Sequence, residues 1–197
     1  YASDRLIERK GLTPVGEIIF VAGKALVRLV PEEIYRPAVP KQILVSNDII
    51  KTTAGARLSI LFKDETQLKL ASNTTIIIKE VIPSKEKPGA LKILLRLESG
   101  EVWTRSKSTP EGLMIETPYA TAAIRGTEWI ISVKDNESSV AVMEGNIQLS
   151  NPFGSVMVGR NEQAVVTAKE APTKIILIRP RDRTQWTYYF SERRLLG

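Results

Sequence analysis

The sequence contains no cysteine and no histidine. Those two absences remove disulfide frameworks, thiol nucleophiles, zinc sites of the Cys/His type, imidazole bases and the Ser-His-Asp class of catalyst. What survives is carboxylate, Lys, Tyr or Ser–Lys chemistry, oxygen-ligand metals such as calcium, or no chemistry at all. Long apolar runs are missing too. Aliphatic runs are short, such as Ile76-Ile77-Ile78 and Ile175-Ile176-Leu177-Ile178, against the roughly 18 residues of a membrane span. No charged start leads into an apolar stretch, so no signal peptide is legible. The chain therefore reads as a soluble domain without a membrane span. Its start at Tyr1 rather than Met reads as a processed or trimmed form. A basic stripe is also lacking. The 28 basic and 22 acidic residues leave +6, but Lys169 to Gly197 holds seven basic and three acidic residues, so the body before it is close to neutral. A nucleic-acid binder carries its positive charge across the body, and no nucleic-acid partner is expected.

What is present is a period of two. With 43% hydrophobic and 25% charged residues over 197 positions, the chain has a globular balance and enough length for a core without staples. Leu58, Ile60 and Phe62 alternate with Arg57, Ser59 and Leu61. Lys63-Asp64-Glu65-Thr66 interrupts, and Leu68 and Leu70 resume, which predicts a hairpin. Ile76 and Ile78, then Leu91, Ile93, Leu95 and Leu97, continue the pattern. Trp129, Ile131 and Val133 return as Val140 and Val142 after Lys134-Asp135-Asn136-Glu137. Ile147 and Leu149 are predicted to face Val158 and Val156 across Asn151-Pro152-Phe153-Gly154. Ala164 to Thr167 is a last short strand of this set, and Ile175 to Ile178 reads as one more, buried. The spacing predicts an all-β fold, a stack of antiparallel hairpins forming a β-sandwich or short β-roll. Parallel βαβ units are excluded for want of crossover helices.

Val30 to Pro40, with three prolines, cannot be a central strand. Pro83 to Gly89 and Ser106 to Gly112 both read as long hairpin loops. Glu98-Ser99-Gly100-Glu101-Val102 echoes Glu144-Gly145-Asn146-Ile147. In each, the glycine is expected to supply a positive φ or room for a bulge at a strand entrance. The organisation expected is a lead segment at 1–13, one β domain at 14–178 and an aromatic-basic arm or linker at 179–197.

The most specific string is Thr117-Pro118-Tyr119-Ala120-Thr121-Ala122-Ala123-Ile124-Arg125-Gly126-Thr127-Glu128-Trp129. It resembles the central signature of the FecR domain family. Asn47-Asp48-Ile49-Ile50-Lys51-Thr52 resembles that family's Gly-Asp-x-Ile-x-Thr piece, with Asn47 where Gly is usual. Lys63-Asp64-Glu65-Thr66-Gln67-Leu68-Lys69-Leu70 resembles its Asp-Gly-Ser turn, with Glu65 replacing Gly. Glu98 to Val102, Glu144 to Ile147 and Val158 to Ala164 follow in the family's order, so the likeness runs from about Pro14 to Thr167. The resemblance implies an extracytoplasmic all-β domain of bacterial envelope proteins, periplasmic or extracellular, whose named members relay signals from an outer-membrane transporter to a sigma-factor system. Arg179 to Phe190 resembles the junction that leads from such domains into tetratricopeptide repeats, so the chain reads as an excised domain.

Candidate sites follow from residue chemistry. Arg125, Gly126 and Thr127 offer a rigid guanidinium fork beside a closely approachable backbone; the competing reading is an architectural ion pair and a bend between strands. Arg183, Trp186, Tyr188 and Tyr189 combine the residue types enriched at binding hot spots, and they equally suit packing back on the sheet. Glu98 with Glu101, Asp64 with Glu65, and Glu116 with Glu128 are the carboxylate pairs that a carbohydrate-active enzyme would use. Asp135-Asn136-Glu137 is the one short oxygen-rich stretch with calcium chemistry, and an ordinary turn explains it. Trp103 and Trp129 read as core anchors rather than sugar-stacking platforms. The expectation is a non-enzymatic binding or scaffolding module with no cofactor and no metal, its partner an envelope protein or cell-wall glycan.

Overall fold

The computed structural model describes residues 5–106 and 112–177, and the described residues hold strands, turns and loops without a helix. The strands are β1 (Gly16–Ala22), β2 (Ala25–Arg28), β3 (Arg36–Pro37), β4 (Ile43–Leu44), β5 (Ile49–Thr52), β6 (Arg57–Phe62), β7 (Gln67–Leu70) and β8 (Thr75–Pro83). They continue as β9 (Leu91–Arg105), β10 (Leu113–Glu116), β11 (Thr121–Lys134), β12 (Glu137–Asn151), β13 (Gly154–Val158), β14 (Glu162–Thr167) and β15 (Thr173–Leu177). All join one sheet. The alternation read from the sequence survives in the registers. Leu58 pairs with Leu70 and Ile60 with Leu68, while Ile147 faces Val158 and Leu149 faces Val156. The fold is all-β, as the period of two predicts.

Three strands are too long for one layer, and each changes layer midway. β9 pairs with β8 up to Ser99 and with β7 from Val102. β11 pairs with β10 over Thr121–Ala123 and with β9 from Glu128. β12 pairs with β14 up to Ala141 and with β13 from Ile147. The first leaf thus runs β4, β1, β6, β7, late β9, late β11, early β12, β14, β15; the second runs β3, β2, β5, β8, early β9, β10, early β11, late β12, β13. One hydrophobic cluster draws on both leaves, with Ile60, Leu68, Val102, Trp129 and Val140 from the first and Ile50, Ile76, Leu95, Ile115 and Leu149 from the second. The leaves therefore face each other.

The layer changes sit on glycines inside strands, not at strand entrances as the echo suggested. Gly100 has φ 97° and Gly145 has φ 90°, a region closed to most side chains. A Cβ on Gly100 would lie 2.3 Å from Thr74 Oγ1 and 2.5 Å from Thr74 Cα, so the bend also needs the empty space. In β11 the register slips between Gly126 and Glu128, with Gly126 directly opposite Gly145.

This folding-over corrects one expectation. Ser106 to Gly112 does not close a hairpin, because β10 runs parallel to β9, Leu113 beside Ile93 and Glu116 beside Arg96. Late β9 lies in the first leaf and β10 in the second, beside early β9, which is one turn of a β-roll. A second correction concerns Ile175, which is 48% exposed on edge strand β15 rather than buried.

Polar contacts lock the turns. The lead segment is tied in by Arg9, whose guanidinium donates to both carboxylate oxygens of buried Asp48 at 2.8 and 2.9 Å. Asp48 also accepts the backbone N–H groups of Val30 and Val45. Asn47 (φ 73°) and Glu65 (φ 70°), which stand where the resembled pattern has glycine, both hold the left-handed conformation. Asp135 and Asn136 (φ 53° and 61°) make the two-residue turn of the β11–β12 hairpin, the geometry that suits strand twist.

Candidate docking surface

The two outer faces differ. In the first leaf, residues pointing away from the core are buried as well: Ser59, Trp103, Ile130, Ser132, Ser139 and Ala141. The consecutive apolar runs Trp129-Ile130-Ile131 and Val140-Ala141-Val142 are what a doubly covered sheet requires. Trp103 anchors this face. Its Nε1–H donates to Glu128 Oε1 at 2.9 Å, and Lys69 Nζ stands 4.5 Å from the ring centre. Burial pushes the Lys69 ammonium below its ordinary value, against the nearby Glu128 charge that favours it. Trp129 is fully buried in the main core. Both tryptophans are anchors, as expected, and neither is open for stacking on a ligand.

The outer face of the second leaf is open. Cross-strand registers align Met157, Gln148, Ala123, Met114, Leu94 and Glu80 in one row over β13, β12, β11, β10, β9 and β8. Met114, Met157 and Ile82 are 42%, 43% and 43% exposed. Ile82, Leu94 and Met114 line a shallow cleft of about 280 Å³ with Glu80 and Lys92 at its rim. The neighbouring row is polar, with Ser155, Ser150, Thr121, Glu116 and Arg96. Met114, Leu94 and Ile82 thus make an apolar strip, with Met157 further along the row beyond Ala123 and Gln148; apolar residues beside a polar rim are the anatomy of a protein-binding surface. Unbranched methionine adapts its shape to whatever lies on it.

The residues singled out from sequence are spread over the molecule. Arg125, Gly126 and Thr127 lie at the layer change of β11, facing Asn146 and Gly145 across the β11–β12 pair. Arg183, Trp186, Tyr188 and Tyr189 lie outside the described residues. Thr117, the start of the most specific string, is a structural knot. Its Oγ1 accepts the N–H groups of Tyr119 and Ala120, donates to the Ala120 carbonyl, and lies 2.7 Å from Ser138 Oγ.

The carboxylates are engaged separately. Glu98 takes the Arg96 Nε–H at 2.7 Å, and Glu101 stands 4.0 Å from Lys134. Glu98 and Glu101 fall on opposite sides of the Gly100 bend. Glu116 lies in the second leaf and Glu128 in the first. Asp64 accepts the Thr66 N–H within its turn. Among the described residues no group of three or more acidic side chains is gathered as a metal-ligand set. What the sequence reading missed is the strip itself. Its signal was present in Leu113-Met114-Ile115 and Val156-Met157-Val158, where an apolar residue occupies the phase that should be polar.

Comparison with known proteins agrees with this architecture. Residues 48–148 match the family described as FecR protein. The chain is 22% identical over 175 residues to an uncharacterized protein of Treponema pallidum (strain Nichols), covering 88% of this chain and 25% of that protein. Two crystal structures of a provisionally assigned anti-sigma factor from Parabacteroides distasonis ATCC 8503 superpose with a TM-score of 0.59 at 19% identity. They cover 71% of this chain and 64% and 63% of theirs. The chain thus spans a quarter of the curated relative's length and under two thirds of the solved chains.

Proposed function

Because the chain belongs to the FecR protein family, we propose that it is a non-enzymatic docking module of the bacterial envelope that takes part in signal relay by holding another protein on the outer face of its second leaf. The observation that carries this reading is the row in which Met114 and Met157 are exposed and Leu94 is half-buried, with exposed Ile82 beside it. One leaf is buried on both faces, and the other leaves an apolar strip open. The compartment is periplasmic or extracellular, and the partner is an envelope protein. The strip favours a protein over a cell-wall glycan, since methionine and leucine give a sugar neither hydrogen bonds nor an aromatic platform. The Arg125-Gly126-Thr127 bend and the arm bearing Arg183, Trp186, Tyr188 and Tyr189 are proposed as secondary contacts, on their residue types alone.

A photo-crosslinking amino acid placed at Met114 or at Leu94 in the protein within its native envelope tests this. The same discrete adduct from both positions, absent when the group is placed at Asp64 on the β6–β7 turn, is the expected result. No adduct from either strip position overturns the reading.

A further inference from the structure

The edges of the sheet are guarded unequally. Unpaired backbone groups at an edge invite another strand, and proteins blunt edges with short strands, proline, lysine or bulges. β3 and β4 are two residues each, and β3 carries Pro37. β15 bears Lys174, ion-paired with Glu162, and its register slips between Gln163 and Ala164. β13 has none of these devices. It is five residues long, Gly-Ser-Val-Met-Val, without charge or proline, and pairs with β12 in unbroken register. Among the described residues it is the one edge left open in this way.

We infer that β13 pairs antiparallel with β13 of a second copy of this chain, joining two second leaves into one sheet across a two-fold axis at Val156. This inference is independent of the docking reading, because it rests on the strand edge and not on the strip. The strand is self-complementary. Centred on Val156, the pairing sets Ser155 against Met157 and Gly154 against Val158, and no charges are opposed. It also carries the 60% exposed Phe153 of each copy to the other's turn at 159–161, where Arg160 is exposed and makes no ion pair among the described residues. A guanidinium and an aromatic ring attract at such a meeting. Other occupants fit less well. A strand with a charged centre would meet a run with no counter-charge. The contact is small, so the dimer is expected to be weak, with a dissociation constant on the order of tens of micromolar.

Sedimentation of the purified chain from about 1 μM to about 1 mM brackets that range. The expected result is a shift from monomer to dimer. Ser155 and Met157 are exposed, so the double variant Ser155→Lys with Met157→Lys keeps its fold by near-ultraviolet circular dichroism and stays monomeric. The double variant Ser155→Glu with Met157→Glu does the same. Mixing the two restores a dimer, because each lysine then opposes a glutamate in this register. The inference is overturned by a wild-type chain that stays monomeric throughout, by a dimer that persists in the lysine variant, or by a mixture that fails to associate. A monomeric wild-type chain would assign the edge to a strand of a different protein, and a mixture that fails to associate would place the contact in another register.

Discussion

Asp48 is the residue on which most local structure converges. Its carboxylate accepts four hydrogen bonds, two from Arg9 and two from the backbone at Val30 and Val45. Arg9 and Asp48 are both almost fully buried. A buried pair contributes little over an apolar replacement, but removing one partner strands the other's charge. Asp48→Asn is therefore expected to destabilise the fold by about 3–5 kcal/mol, read from urea unfolding. Adding Arg9→Met to that variant should recover part of the loss. If the single and double variants unfold alike, the ion pair is not what holds the lead segment.

At the scale of elements, the bends in the long strands bear the fold. Gly100 combines a positive φ with contact against Thr74. Gly100→Ala meets both obstacles and should cost at least about 2 kcal/mol; a midpoint of unfolding unchanged from wild type would show that β9 turns without needing glycine. The β14–β15 pair has an electrostatic latch. The Lys174 ammonium beside Glu162, aided by the Gly159 N–H, holds the Glu162 carboxyl below its ordinary value. A carboxyl lowered on folding stabilises the native state at neutral pH, and that contribution is lost as pH falls below the ordinary carboxylate range through the folded value. Glu162→Gln should therefore lower stability near pH 7 and flatten the acid side of the stability curve, measured by thermal unfolding across pH. Equal acid slopes in both proteins would refute the latch.

For the whole molecule, several of the strand pairs that close the leaves join segments distant in sequence, such as β1 with β6 and β9 with β11. Closing such loops before contacts reward them is slow. Refolding from urea is expected on the millisecond-to-second scale, followed by tryptophan emission as Trp103 and Trp129 are buried. Refolding complete within microseconds would contradict a nucleus made of long-range strand pairs. The asymmetry between leaves also acts at this scale. With Trp103, Ile130 and Ala141 buried on the outer side of the first leaf, the docking proposed above is assigned to the second.

The period of two by itself determined strands β6 to β9 and β11 to β14 with their core-facing residues, and the β6–β7 and β12–β13 hairpins, while β1 to β5 and β10 did not show in it. Side-chain alternation is a local property, and neighbouring hairpin strands need only a turn between them. The replacements of glycine at Asn47 and Glu65 were legible against the resembled pattern, but that both hold the left-handed conformation came from the structure. Only the tertiary structure decided where the sheet folds over, why β10 lies parallel to β9, that Ile175 is exposed, and that Arg9 reaches Asp48 from 39 residues away. Those features depend on which distant strands share an edge and which face a second layer covers. No window of alternating residues carries that information.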